Sequence, residues 1–159
     1  DPLDRGLRVA FDFDSVLADD ACEQVYASGG LHSYQEHELA IQNLAHEPGP
    51  LRELLRRLNQ IQAEEERRRE ELPGYRMRLH VSVVTARSAP AHERALWSLR
   101  EWGLRVNDAF FLGGIANGPI LETLRPHIFF DDQKTHLVPT SSVLPSVHIP
   151  FGITNTTSP

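Results

Sequence analysis

The stretch VAFDFDSVL, Val9 to Leu17, decides how this chain is read. Together with the two residues before it, it gives Leu7 to Phe11 (LRVAF), a short and mainly apolar run that stops abruptly in acid. A run of that kind reads as a buried strand, and a strand ending at Asp12 delivers a carboxylate to the edge of a sheet. Asp14 follows two residues later. Aspartates at i and i+2 just past a strand point into one pocket when the strand gives way to a loop between them. One carboxylate can then attack phosphorus. The other can stand near the leaving oxygen as general acid and afterwards deprotonate the water that completes hydrolysis.

Outward from this stretch, the same pattern recurs. Met77 to Val84 (MRLHVSVV) runs into Thr85 and Arg87, Ala109 to Leu112 (AFFL) into Gly113-Gly114, and His127 to Phe130 (HIFF) into Asp131-Asp132. Val147 to Ile149 supplies a fifth short strand. Helical segments lie between. Ser88 reads as an N-cap with Pro90 in the first turn, Ala91, Ala95, Leu96, Leu99 and Trp102 form an apolar stripe, and Gly103 stops it. Pro119 to Leu124 is a shorter helix. Strand and helix alternating at this spacing imply an α/β fold, a Rossmann-like parallel sheet with helices on both faces.

Ligands of an open parallel sheet bind outside the carboxyl ends of its strands. Three of the four main strand ends carry reactive residues: Asp12 with Asp14, Thr85 with Arg87, and Asp131 with Asp132. An isolated pair of aspartates is more often a solvated turn than a site. Four carboxylates at two strand ends repel one another, and a bound hard cation is the usual remedy.

One segment breaks the rhythm. Residues 19–73 hold no convincing strand. Ser33 to Glu36 has capping-box spacing and is expected to open a helix running to about Ala45. Glu47-Pro48-Gly49-Pro50 is a turn. Leu51, Leu54, Leu55, Leu58 and Ile61 then follow a helical period, and the charged run Glu64 to Glu71 reads as a solvated helix end. The expected organisation is a core formed by residues 1–18 and 74–159 and a small helical cap formed by residues 19–73, folded over the pocket. His32, His37 and His46 lie on that insertion with no spacing that completes a zinc site. Trp97 and Trp102 sit at helical spacing and read as packing.

The bulk numbers fit one domain. With 40% hydrophobic and 24% charged residues, 159 residues are enough for a packed core. A net charge of -6 argues against a nucleic-acid groove, which needs a dense basic surface. A small phosphorylated substrate needs only a few local donors and a cation. The single cysteine, Cys22, fits a reducing, cytoplasmic setting. No apolar run approaches membrane-spanning length. The Asn155-Thr156-Thr157 triplet has the glycosylation pattern and reads as a tail.

The phrases VAFDFDSVL, VVTARS (Val83 to Ser88), FFLGGIANGP (Phe110 to Pro119) and RPHIFFDDQ (Arg125 to Gln133) fall in the order of the four motifs of the haloacid dehalogenase superfamily. The wording of the second and fourth, and the helical insertion after the first, resembles the cytosolic 5'-nucleotidase type I family over about Arg8 to Gly152. The resemblance implies a haloacid dehalogenase-type sheet with a helical cap, magnesium dependence and hydrolysis of nucleoside 5'-monophosphates. Carried over by position, it makes Asp12 the nucleophile and Asp14 the acid/base. Thr85 becomes a phosphate ligand, with Gly118 and Asn117 in the phosphate-binding motif. Asp131 and Asp132 hold magnesium directly or through water, with the backbone carbonyl of Asp14 as a further ligand. Arg87 serves the phosphate or pairs with a carboxylate.

Two positions depart from the family pattern. Phe13 stands where the family has a small glycine between the aspartates. Asn117 stands where it has a lysine that offsets the charge of nucleophile and phosphate. Lys134 is the chain's only lysine, and its simplest reading is a surface residue. Three functions therefore stay open: a nucleoside monophosphate phosphatase, a catalytically impaired nucleotide-binding or sensing module, and a sugar-phosphate phosphatase of the same superfamily. Base preference, effectors and assembly into a homo-oligomer leave no mark in the sequence.

Overall fold

The computed structural model describes residues 6–156. Residues 1–5 and 157–159 of the expected core, and with them Thr157 of the glycosylation triplet, lie outside the described residues.

Five parallel strands form one sheet, β1 (Leu7–Phe11), β2 (Leu79–Thr85), β3 (Asp108–Phe111), β4 (Ile128–Asp131) and β5 (Ser146–His148), in the spatial order β3-β2-β1-β4-β5. The helices are α1 (Ala21–Ala40), α2 (Arg52–Glu71), α3 (His92–Glu101), α4 (Gly118–Leu124) and α5 (Lys134–Thr140), with a 3-10 turn at Ile153–Asn155. Every strand expected from the sequence is present, β1 at the expected residues and the other four shifted by one or two residues.

Successive strand side chains point to opposite faces, and the two faces build two cores. Val9 and Phe11 of β1 and Val81 and Val83 of β2 pack with Leu55 of α2 and with Ala95 and Leu99 of α3. Ala10, Val84 and Phe129 point the other way and meet Leu121 of α4 and Leu137 of α5. Leu96, expected in the stripe of α3, is exposed, while Arg94 and Ser98 of the same helix are buried. Both have polar partners that the hydrophobic pattern does not register.

The insertion expected over residues 19–73 divides into two parts. The second, α2, lies along the sheet as the crossover between β1 and β2. Leu55 is fully buried in the first core, with Leu51 and Leu58 against it, and burying such a side chain is worth about 1.5–3 kcal/mol. Glu65, near the far end of α2, accepts from the backbone N–H groups of Arg78 (2.8 Å) and Leu79 (3.1 Å) and from the Tyr75 hydroxyl (3.0 Å) at the start of β2. The charged run is thus solvated except at Glu65.

The first part stands over the carboxyl ends of the strands. α1 begins at Ala21, well before the expected Ser33, and ends at Ala40. It is broken at Gly30, which takes φ 69°, a conformation open to glycine at little cost. The Glu47–Pro50 turn brings the chain back against the loop after β1: Asp19 N–H donates to Glu47 O (3.0 Å) and Gly49 N–H to Leu17 O (2.8 Å).

Candidate active site

The strand order reverses direction between β1 and β4, and a parallel sheet opens a crevice at such a switch point. Asp12 follows the last residue of β1 and Asp131 ends β4. The Asp12 N–H donates to Phe130 O at 2.8 Å, tying the two strand ends together. Beyond Asp12 the chain turns sharply. Ser15 takes φ 57°, and the N–H groups of Leu17 and Ala18 both reach Phe13 O at 2.9 Å. The turn keeps Asp14 beside the pocket and sends Phe13 into the core, where it is fully buried.

The buried carboxylates are crowded. Asp12 Oδ1 accepts from the Phe13 N–H (2.6 Å). Asp131 accepts from the Gln133 N–H (2.7 Å) on Oδ1, and from His136 Nδ1 (3.1 Å) and Asn117 Nδ2 (3.5 Å) on Oδ2. Asp132 Oδ2 accepts from Thr154 Oγ1 (2.9 Å), while its Oδ1 is buried with no hydrogen-bond partner among the described residues. Burial pushes the Asp12 carboxyl well above the usual range, and the charges of Asp131 and Asp14 push it further. Burial and then Glu23 push Asp132 up to about 8. Glu23, on α1, is itself raised by burial and by Asp14, and is held by Ser15 Oγ (2.8 Å) and Gln133 Nε2 (3.3 Å).

Such a set favours protonation unless a cation balances it. Ligand atoms of Asp12, Asp131 and His136 lie within 4.8 Å of one another. The two aspartates among them fit a hard divalent cation, since carboxylate oxygens are the donors such ions prefer, and the unpartnered oxygen of Asp132 belongs to the next residue along the chain.

Thr85 ends β2 in a buried position. Its Oγ1 accepts from the Arg87 N–H (3.4 Å), and its own O–H donates to no group among the described residues. Asn117 is buried at the start of α4, with Gly118 as the first helical residue, and its amide faces Asp131. Lys134 is exposed at the start of α5.

Arg87 is buried, and its guanidinium donors are engaged within the protein. Nε and Nη2 grip Asp14 at both oxygens (2.8 and 2.6 Å), Nη1 donates to Glu38 Oε2 and to Ala91 O (2.9 Å), and Nη2 also reaches His46 Nε2 (2.8 Å) and Cys22 Sγ (3.2 Å). Of the two roles open to it, the structure places it with the carboxylates. Asp14, Cys22 and His46 do converge with metal-ligand spacing, against the expectation for the histidines. The Arg87 guanidinium sits among them and supplies the cation.

Glu23, Glu38 and His136 were not visible as site residues. His136 carried a weak signal, in the first turn of the helix after the Asp131-Asp132 pair. Glu23 and Glu38 carried none, because α1 has no strong apolar face and exposes Tyr26, Leu31 and Leu39.

Fold and site together define an open parallel α/β protein with a carboxylate-rich, cation-suited crevice at its switch point. The chain belongs to the 5'-nucleotidase family, whose model, described as 5'-nucleotidase, matches residues 1–156. It is 38% identical over 135 residues to human (Homo sapiens) cytosolic 5'-nucleotidase 1B. That match covers 84% of this chain and 22% of the relative, so the chain spans about a fifth of the relative's length. No solved structure matches it. No helix among the described residues is long and apolar enough to cross a membrane.

Proposed function

We propose that this chain carries the catalytic site of a magnesium-dependent 5'-nucleotidase, which hydrolyses nucleoside 5'-monophosphates to nucleoside and phosphate in the cytoplasm. The observation that carries the reading is the placement of Asp12 and Asp14 on one tight turn at the switch point, opposite Asp131. An oxygen of Asp12 bonds to phosphorus as the bond from phosphorus to O5' breaks, and Asp14, an anion beside Arg87 until it takes up a proton from solvent, gives that proton to O5'. Asp14 then takes a proton from water, whose oxygen bonds to phosphorus and frees the Asp12 carboxylate. Both Asp14 oxygens accept from Arg87, but each keeps a further lone pair for this work.

The Thr85 hydroxyl, and Asn117 with the Gly118 backbone, would hold the phosphoryl group. Asp12, the Asp14 carbonyl and Asp131 would hold magnesium, with Asp132 beside them. Bound there, the ion would neutralise phosphoryl oxygens so that an anionic nucleophile can approach. The part of the insertion before α2, residues 19–48, covers the crevice and contributes to recognition of the nucleoside.

The impaired-binder reading draws on Asn117, which brings no charge. The intact Asp12-Asp14 pair speaks against it, since a binder needs no nucleophile and acid. Phosphate release from a panel of nucleoside monophosphates and sugar phosphates, with and without magnesium, tests all three readings. Nucleotide hydrolysis lost on chelation is the expected result. Binding without release would favour the module, and a preference for sugar phosphates the third reading.

A further inference from the structure

The Arg87 cluster joins three separate parts of the chain. Asp14 comes from the loop after β1, Arg87 from the turn after β2, and Glu38 from α1 above the crevice. Glu38 is fully buried. Its Oε2 accepts from Arg87 Nη1, and its Oε1 from Arg94 Nη1 (2.7 Å) and Cys22 Sγ (2.9 Å). Burial alone would raise the Glu38 carboxyl, but the Arg87 charge and these hydrogen bonds hold it down to about 2.

The rest of the shell is neutral and directional. Ser98 Oγ donates to Arg94 O (2.8 Å), so the 2.8 Å contact from His46 Nδ1 to Ser98 Oγ makes Nδ1 the donor. His46 Nε2 is then the acceptor facing Arg87. The Arg87 guanidinium also lies over the rings of Phe13 (5.2 Å) and Tyr34 (5.9 Å). Two cations, Arg87 and Arg94, therefore meet two anions, Asp14 and Glu38, around a neutral histidine. Of the four, Asp14 has the most exposed side chain, at 17%.

A buried guanidinium gripped at one end by Glu38 and at the other by Asp14 transmits position from one carboxylate to the other. Without the Glu38 charge, two buried arginines would compete for Asp14, and its placement towards the crevice would follow them. We propose that Glu38 is a positioning residue: through Arg87 it sets the Asp14 carboxylate and so ties the acid/base group to the insertion helix. This rests on the phosphatase reading given above. Phe13, which departs from the family glycine, belongs to the same device, because its ring forms one wall of the Arg87 seat.

The test is Glu38→Gln, which keeps the shape and removes the charge. It is assayed on a nucleoside monophosphate, whose leaving alkoxide needs a proton, and on p-nitrophenyl phosphate, whose phenolate departs without one. kcat/KM reports transfer to Asp12 in both cases. On the nucleotide it should fall by about 10- to 100-fold with KM within about threefold, and on p-nitrophenyl phosphate by less than about threefold. In an Asp14→Asn background the Glu38 change should cost nothing further. Equal losses on the two esters, or an undiminished loss without Asp14, would mean a purely structural role and overturn the proposal. If the parent hydrolyses neither ester, the phosphatase reading fails by itself. The relay is then decided by unfolding midpoints of the single and double variants at Glu38 and Asp14. Non-additive shifts support it, and additive shifts overturn it.

Discussion

Asp12 is the residue on which the proposed chemistry turns. Burial first, and then the charges of Asp131 and Asp14, force its carboxyl towards its neutral form, so it would be a poor nucleophile until a cation balances the cluster. Asp12→Asn keeps the shape and should abolish turnover with the fold intact. Beryllofluoride, a mimic of aspartyl-phosphate, should bind the parent and not the variant in calorimetry, and an active variant would sink the assignment. Asn117 is the second residue of consequence. Its amide sits 3.5 Å from Asp131 Oδ2, so a lysine there would place a charge beside the same carboxylates. Asn117→Lys is expected to raise hydrolysis by roughly ten- to a thousandfold, each ~1.4 kcal/mol of transition-state stabilisation being tenfold in rate. Little gain in steady-state kinetics would mean that the site makes do without that charge.

Among the elements, α2 and the turn before it fix the frame on which these residues stand. Glu65 holds two backbone N–H groups at the entry to β2. Glu65→Ala leaves both without this partner and should cost about 2–4 kcal/mol by urea unfolding, with KM of the remaining folded enzyme unchanged. The turn is tighter still. A Cβ built on Gly49 would lie 2.1 Å from Ala18 O and 2.6 Å from its carbonyl carbon, both rigid backbone. Gly49→Ala should therefore push the returning chain off the loop that carries Asp14. Lowered thermal stability together with lost activity is the expected outcome, and a variant indistinguishable from the parent in both would show that the loop tolerates the shift.

At the scale of the whole molecule, the buried cluster sets a response to acid. Burial, with the Arg87 and Arg94 charges, depresses the His46 imidazole to about 3. The unfolded chain therefore binds a proton there between about pH 6.5 and 3 that the folded chain refuses. That favours unfolding as pH falls through this window, by up to about 1.4 kcal/mol per pH unit. Glu38, depressed to about 2, adds stability above about pH 4.5 that is lost as pH falls from there towards its folded value. The carboxyls raised in the acidic cluster of Asp12, Asp132 and Glu23 act in the opposite direction, so the informative quantity is a difference. Between pH 6.5 and 4.5, with magnesium present throughout, the melting temperature of His46→Gln should fall less than that of the parent. Parallel curves would place the acid sensitivity elsewhere.

How much of this was legible follows from what each residue answers to. The strands, the parallel sheet and the strand-end aspartates were written locally. A short apolar run must be buried, and the acid that ends it must emerge at the edge, so LRVAF followed by Asp12 and HIFF followed by Asp131 announce the fold and mark the candidate site. The linear pattern could not divide the insertion, because the leucines of α2 have the same period whether they face a cap or the sheet, and only packing shows that Leu55 faces the sheet. Nor could it assign Arg87, Glu38 and His46. A buried charge is stable only beside its partners, and these partners lie 41 to 73 residues from Arg87 along the chain. Sequence alone determined the sheet, its order of motifs and the acids at its edge. The tertiary structure decided which charges neutralise one another, because that depends on distances across the fold rather than along the chain.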